Sequence, residues 1–181
     1  MNALELLTTR RSTKTLGLPV PDELQLHTIL QAASQVPDHG RLTPWRFVVI
    51  QSEAGMSRFR QILLDTVTEL NMGDEARAKA EKVGKMAPMV LAVIASPKTG
   101  KPEWEQHLSA GCAAYAAQLA ANAQGFDNVW LSGLWVNSPL LKAAFDCNEK
   151  EKIIALIMLG TATRSPAEPK NTDVQAFTQF W

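Results

Sequence analysis

The sequence lacks a set of paired cysteines and an excess of either charge, and each absence excludes a class of protein. Its 181 residues contain two cysteines, Cys112 and Cys147, too few and too far apart for a secreted fold held by disulfides. We expect both to be buried packing residues. The 18 basic residues balance the 18 acidic ones, which argues against a nucleic-acid partner, because such proteins usually carry a basic surplus.

Motifs for several cofactors and reactions are also missing. The ten glycines form neither GxGxxG nor GxxxxGK[ST], so the usual loops that bind nucleotide phosphates are not present. The three histidines share no metal-ligand spacing with one another or with a cysteine pair, which argues against a zinc site. There is no GxSxG turn to carry a nucleophilic serine.

Membrane and export signals are absent as well. The N-terminus places a glutamate before its arginines and has a short apolar part, unlike a signal peptide, so we expect a cytoplasmic protein. The alanine-rich segment 107–124 contains Gln118 and Asn122 and predicts a buried helix, not a membrane span. No repeat or linker interrupts the chain, so residues 1–181 are expected to form a single domain.

Hydrophobic spacing predicts strands and helices in alternation, which by itself favours a parallel α/β sheet. Strands are predicted at 46–51, 89–95, 129–131 and 153–159, with an irregular segment after 160. Helices are predicted at 2–9, 22–37, 103–124 and 138–145, and a further helix is predicted to carry Phe59, Leu63, Val67 and Leu70 on one face. The segment 74–85 is expected to be a solvated helical face with Glu75 and Lys79 as an i,i+4 pair.

Two apolar features indicate close packing with other elements. The helix at 103–124 has a face of small residues at Ala110, Ala114, Ala117 and Ala121, which suits either the central helix of the domain or a subunit contact. The chain ends with Phe177, Phe180 and Trp181, and such large aromatic residues are unfavourable at a solvated terminus. We expect this tail to dock on a partner subunit.

The densest cluster of polar groups is Arg10, Arg11, Ser12, Thr13 and Lys14, which follows the first predicted helix. Arginine forks and hydroxyls supply the charge-assisted donors that a phosphate monoester needs. Taken alone, however, the cluster fits better a solvated basic patch at a helix C-terminus, where cations are favoured.

Two further segments have features of binding loops. Residues 37–47 form a polar loop bounded by Pro37 and Pro44, and such loops often present side chains to a ligand. His39 in this loop is as readily explained by pairing with a carboxylate such as Asp38. At 125–133 a helix gives way to a strand that breaks at Gly133, where a backbone can approach a flat ligand closely.

Taken in order, these segments resemble the flavin-dependent nitroreductase family over essentially the whole chain, and the short length is similar to its small, YdjA-type branch. The resemblance rests on five features in sequence: Arg10-Arg11-Ser12 after a helix, Pro44-Trp45-Arg46-Phe47 before an apolar strand, an alanine-rich helix ending at Gly125, the turn from Trp130 to Gly133, and a strand closing at Gly160-Thr161.

The resemblance implies a fold that differs from the one the alternation favours. It implies an α+β sandwich with a mainly antiparallel sheet flanked by helices. It also implies a homodimer with two active sites at the interface, in which the C-terminal tail is exchanged and reaches over the partner subunit. Bound FMN would be the prosthetic group.

The resemblance also implies a role for particular residues. Arg10, Arg11 and Ser12 would bind the FMN phosphate, together with a C-terminal cation, either Arg164 or Lys170. Lys14 would lie near the flavin N1 and O2 edge, where a cation stabilises the reduced ring. The backbone of Leu131, Ser132 and Gly133 would face N5 and O4. The loop lacks the family's common Asn, so Gln35 and His39 are expected to supply polar contacts from the second subunit.

The implied activity is a ping-pong cycle. NADH or NADPH gives a hydride to flavin N5 and leaves, and the electrons then pass to a nitroaromatic, a quinone or a similar small acceptor. The flavin carries the chemistry, so no catalytic acid or base is required. Two alternatives stay open: a flavin-binding sensor or carrier module with little turnover, and a cofactor-free interaction domain whose Arg10 to Lys14 cluster is surface charge.

Overall fold

The computed structural model describes residues 2–165 and 172–181. The elements follow one another as α1 Ala3–Thr9, β1 Leu16–Gly17, α2 Glu23–Ala33, β2 Trp45–Ile50, α3 Glu53–Glu69, α4 Gly73–Gly84, β3 Met89–Ala95, α5 Glu103–Ala123, β4 Asp127–Leu131, α6 Leu134–Asn137, α7 Pro139–Ala144, β5 Lys152–Ala162 and a 3₁₀ turn at Val174–Phe177.

The strands pair in antiparallel fashion around β5. This strand pairs with β3 on one edge and with β4 on the other, and its last residues pair with β1. β2 pairs with β3, so the four longer strands lie in the order β4-β5-β3-β2. The α+β fold with an antiparallel sheet, expected from the resemblance, is therefore confirmed.

The parallel sheet favoured by the alternation of elements is wrong, because alternation does not decide strand direction. Direction depends on the end of the sheet at which each connection re-enters. β2 and β3 are joined by two helices, α3 and α4, and run antiparallel. α5 alone joins β3 to β4, and these two parallel strands are kept apart by β5.

Helices cover both faces of the sheet and make the strands apolar on both sides. In β3, Leu91 and Val93 pack toward α2 and α5, whereas Val90, Ala92 and Ile94 pack toward α3 and α7. All seven residues of β3 are buried, which accounts for the continuous apolar run that the sequence shows there.

The small-residue face of α5 belongs to the core. Ala110, Ala114, Ala117 and Ala121 are buried in the cluster formed with β3, β5 and α2. This excludes a subunit contact for that face.

The expectation that both cysteines are buried is wrong, since Cys112 lies exposed on the other side of α5 and Cys147 is half-buried. Burial raises the pKa of the Cys147 thiol.

Element ends differ from the sequence prediction where tertiary contacts decide them. α2 ends at Ala33, before the predicted end at Pro37. β5 continues beyond Gly160 to Ala162, because its end pairs with the two-residue strand β1. A Cβ at Gly160 would lie 2.7 Å from the carbonyl oxygen of Gly17, so glycine is required for this close approach.

Among the described residues, no helix combines the length and the apolar character needed to cross a bilayer.

One ion pair holds β2 to the turn that precedes β5. Arg46 donates from Nε and Nη2 to the two carboxylate oxygens of Glu151, at 2.8 and 2.9 Å, and from Nη2 to the carbonyl oxygen of Phe145 at 2.8 Å. Glu151 is 5% exposed. The hydrogen bonds from Arg46 lower the pKa of Glu151 from its ordinary value of 4.5 to about 2, against the opposing effect of burial.

We expect Glu151→Gln to lower the free energy of unfolding at pH 7 by about 2 to 3 kcal/mol, because it leaves a half-buried guanidinium without its counter-charge. A lowered pKa stabilises the fold above the ordinary pKa of 4.5, and the benefit is lost as the pH falls toward 2. In urea unfolding, the difference in free energy of unfolding between the variant and the wild type should therefore be smaller at low pH than at pH 7. Glu149→Gln, at an exposed position, is the control. An equal loss of stability at pH 7 and at low pH would contradict an ionic origin of the effect.

Candidate functional site

A cleft of about 560 Å³ opens between the start of the chain, α4 and the end of β4. Its volume lies in the range of small-molecule and cofactor sites. It is lined by Lys14, Leu131, Ser132 and Gly133, all of which the resemblance selects, and by Met72, Glu75, Ala76, Lys79, Val83, Leu134 and Trp135. The structure thus brings residues 14 and 131–133 together across more than a hundred positions of sequence.

Hydrogen bonds to β4 hold the basic segment at the cleft. The backbone nitrogen of Thr13 donates to the carbonyl oxygen of Asn128 at 3.0 Å, and its hydroxyl donates to Asp127 at 3.2 Å. Asn128 is completely buried and accepts a hydrogen bond at 2.7 Å from the side chain of Gln118 on α5. Because Thr13 is fixed to the strand, the neighbouring Lys14 is directed to the cleft.

The rest of the basic segment lies between α1 and Thr13. The backbone nitrogen of Arg10 caps α1 by donating to the carbonyl oxygen of Leu6 at 3.1 Å. Arg11 donates from Nη1 to the carbonyl oxygen of Arg10 at 2.6 Å. Ser12 is exposed. Two cations and a hydroxyl therefore follow one another at the end of a short helix and lead toward the cleft.

The end of β4 lines the cleft with its backbone. Gly133 has φ of 74° and ψ of −134°, a conformation that is essentially restricted to glycine. A Cβ there would meet no atom within 4 Å, so the backbone, and not crowding, requires the glycine. The chain leaves the sheet at Leu131 and presents the amides of Ser132 and Gly133 outside the strand ladder.

Arg164 follows the end of β5 and approaches the same region. The backbone nitrogen of Thr163 donates to the carbonyl oxygen of Thr15 at 2.9 Å, which continues the pairing of β1 with β5. Arg164 directly follows Thr163, and Thr163 is hydrogen-bonded to Thr15, the residue after Lys14. The side chain of Arg164 is exposed. Lys170, the other C-terminal candidate, lies outside the described residues.

Gln35 and His39 do not line the cleft of the same protomer. His39 lies near the start of α5, where its Nδ1 is 2.6 Å from a carboxylate oxygen of Glu105. The backbone nitrogen of Gln35 donates to the carbonyl oxygen of Ala32 at the end of α2. His39 thus pairs with a carboxylate, as its alternative explanation expected, although the partner is Glu105 and not Asp38. The loop around His39 places Arg41 and Thr43 at positive φ, so it has a defined and strained conformation.

Sequence reasoning missed the wall that α4 supplies. Met72, Ala76 and Val83 occur among charged residues at spacings of four and seven, which is typical of one helical face. Trp135 was missed because the four-residue helix α6 follows Gly133 directly and is too short to show a period. The apolar spacing within the charged segment is the signal that identifies this wall.

The lining of the cleft suits a flat, anionic cofactor. Leu131, Leu134 and Trp135 offer apolar surface, Lys14 offers a positive charge, and the backbone around Gly133 offers amide groups without an intervening side chain. A flavin ring has apolar faces and polar edges, and its phosphate needs cations such as those at residues 10–14. The residues present therefore fit FMN. Within the described ranges no cluster of His, Cys, Asp or Glu forms a metal site.

A second cavity, of about 390 Å³, lies at the outer edge of β2 and has a different lining. It is bordered by Val48, Ile50, Phe59, Phe145 and Arg58, among others, and by none of the residues selected from the sequence. The first cleft is therefore the better candidate for the functional site.

Comparisons with known proteins agree with this assignment. The model of the nitroreductase family matches residues 7–161. A protein of Haemophilus influenzae, named as a candidate NAD(P)H nitroreductase, is 46% identical over 99% of this chain and 100% of its own length. The protein YdjA of Escherichia coli, named in the same way, is 42% identical over 89% of this chain and 88% of its own.

A solved structure shows the same fold. A candidate nitroreductase from Desulfovibrio desulfuricans, crystallised with FMN, superimposes with a TM-score of 0.79 at 19% identity and covers 99% of this chain and 98% of its own. The family match includes both sides of the cleft, from the basic segment to the end of β4. With nearly half of its residues shared with a full-length relative, the chain belongs to the nitroreductase family.

Proposed function

We propose that this protein is an FMN-dependent NAD(P)H oxidoreductase that reduces nitroaromatics, quinones or similar electrophilic acceptors. The observation that carries the proposal is the cleft in which Lys14 faces the backbone of Leu131, Ser132 and Gly133. The names of the Haemophilus influenzae and Escherichia coli relatives and the FMN of the Desulfovibrio desulfuricans structure support it. Residues 1–181 would form one FMN-binding domain.

The basic segment would hold the phosphate of the cofactor. Arg10, Arg11 and Ser12 would supply charge-assisted hydrogen bonds, and the position of Arg164 after β5 supports its participation. Lys170 stays the alternative for this last role. Such contacts would bind the cofactor firmly without the glycine-rich loop that the sequence lacks.

The ring would lie between Lys14 and the end of β4. When bound, FMN supplies hydride transfer at N5 from NADH or NADPH to the acceptor. The ammonium of Lys14 would stabilise negative charge at the N1 and O2 edge. The amides of residues 131–133 would orient the other edge, and the apolar surface of Leu134 and Trp135 would exclude water from the ring. No side chain in this scheme acts as an acid or a base.

The active sites would lie at the interface of a homodimer. Gln35 and His39 do not line the cleft of their own protomer and would contact the cofactor of the partner. Two exposed apolar surfaces support association: Trp104, Leu108 and Tyr115 on the outer side of α5, and the aromatic tail. Phe177 and Phe180 are 71% and 89% exposed in the protomer, which is unfavourable unless another chain covers them.

The first prediction concerns the cofactor and the reductive reaction. The purified protein should show a flavin absorption spectrum, and this spectrum should bleach when NADPH or NADH is added without oxygen. An added acceptor should restore it and sustain NAD(P)H oxidation. A flavin spectrum that persists after both donors would instead favour a sensor or carrier module. A colourless protein that takes up no FMN would overturn the proposal.

The second prediction concerns the phosphate site. The double variant Arg10→Ala and Ser12→Ala should weaken FMN binding by at least roughly 100-fold, because each of the two lost charge-assisted hydrogen bonds costs about 1.5 to 3 kcal/mol. Binding is measured by quenching of FMN fluorescence on titration into apoprotein. Arg58→Ala, at the second cavity, is the matched control and should bind FMN as the wild type does. Unchanged FMN content in the double variant would indicate that the cluster is only surface charge.

The third prediction concerns the dimer. Sedimentation of the FMN-loaded protein at micromolar concentration should give the mass of a dimer. Deletion of residues 174–181 removes the three aromatic residues of the tail, Phe177, Phe180 and Trp181, and should shift the equilibrium toward monomer. A wild-type protein that is monomeric at this concentration while still holding FMN would exclude a site built from two chains.

A further inference from the structure

The α4 wall of the cleft carries two opposite charges that the proposed function does not use. Glu75 and Lys79 line the cleft together with Lys14. They are four residues apart on α4, so they lie one helical turn from each other on the same face. Ala76 and Val83 lie beside them and give the wall an apolar surface.

These two side chains do not neutralise each other. The sequence predicts an i,i+4 pair between Glu75 and Lys79, and this prediction is wrong: in the described part of the chain neither residue takes part in an ion pair. The pair that does form on α4 is Arg77 with Glu81, at 4.0 Å and away from the cleft. Glu75 and Lys79 are thus available to a charged group that enters the cleft.

The position of these charges gives them influence over small ligands. Charges on the rim of a concave site with apolar walls act more strongly than charges on a flat surface, because the walls exclude water and focus the field. Lys14 would be engaged with the flavin edge under the proposed function. Glu75 and Lys79 are then the cleft's remaining charged side chains among the described residues.

We propose that Lys79 and Glu75 set the charge preference of the cleft for its electron acceptor. Lys79 favours acceptors with an anionic substituent, such as an aromatic carboxylate, and Glu75 opposes them. This inference rests on the proposed function, since it requires that the acceptor bind in the same cleft as the flavin. It assigns substrate selection to α4 and leaves cofactor binding to residues 10–14 and 131–133.

The test compares two acceptors of similar shape and different charge, 4-nitrobenzoate and 4-nitrobenzamide. The measured quantity is the ratio of their kcat/KM values with FMN-loaded protein. Lys79→Gln should lower the anion-to-neutral ratio about three- to tenfold, and Glu75→Gln should raise it by a similar factor. Lys82→Gln changes the net charge of α4 equally but lies outside the cleft, so its ratio should match the wild type.

A second readout does not depend on turnover. Binding of 4-nitrobenzoate to the oxidised, FMN-loaded protein is measured by calorimetry for the same variants. The differences between variants should shrink when the ionic strength rises from about 0.05 M to about 0.5 M, because salt screens exposed charges. A purely structural effect of the substitutions would not depend on salt in this way.

The outcomes separate this inference from the proposed function. Equal ratios and equal affinities in all variants, with FMN bound, would overturn the role of α4 and leave the proposed function intact. If FMN is bound but no acceptor is reduced, the binding titration alone decides the inference. A wild-type protein that binds no FMN would overturn the proposed function and this inference with it.

Discussion

The backbone hydrogen bonds of β5 are the constraint on which the cleft depends. β5 pairs with β3 and β4 on its two edges and with β1 at its end, so it fixes the relative positions of segments that are far apart in sequence. β4 delivers residues 131–133 to the cleft, and the stretch after β5 brings Arg164 near the start of the chain. The positions of the residues that line the cleft therefore depend on the register in which β5 pairs with its neighbours.

A second, smaller set of hydrogen bonds fixes the basic segment, residues 10–14, to the sheet. Asn128 accepts a hydrogen bond from Gln118 on the central helix and, through its carbonyl oxygen, another from Thr13. Buried amides that satisfy one another hold a single arrangement well, because the loss of one partner leaves the other without a hydrogen bond in a dry environment. The loop that carries the proposed phosphate ligands is therefore fixed by the core and not by its own sequence.

Much of the architecture follows from the sequence, and the parts that do not have physical reasons. The cap at Asn2, the apolar strand at 89–95 and the long alanine-rich helix all depend on local signals, and the structure has them at or within one residue of the predicted ends. Strand direction was not recoverable from alternation, because it depends on which strand lies between β3 and β4. The resemblance supplied that information.

The candidate cleft was predictable to a similar extent. The resemblance selected Lys14 and Gly133, and the structure places them in one cleft. The charged residues of α4 were taken for a solvated pair, since helical spacing shows which side chains share a face but not what that face meets. Only the position of α4 at the same cleft as the end of β4 distinguishes a cleft wall from an open surface.

Few residues of α4 are buried, and this affects which substitutions the helix can accept. Ala80, Val83 and Gly84 are its buried residues, whereas Glu75 and Lys79 are exposed. Substitutions of these exposed side chains remove little buried surface and so cost little stability. If α4 selects the acceptor as proposed, its charges can change independently of the residues proposed to bind the cofactor, and new acceptors can be acquired without loss of the fold.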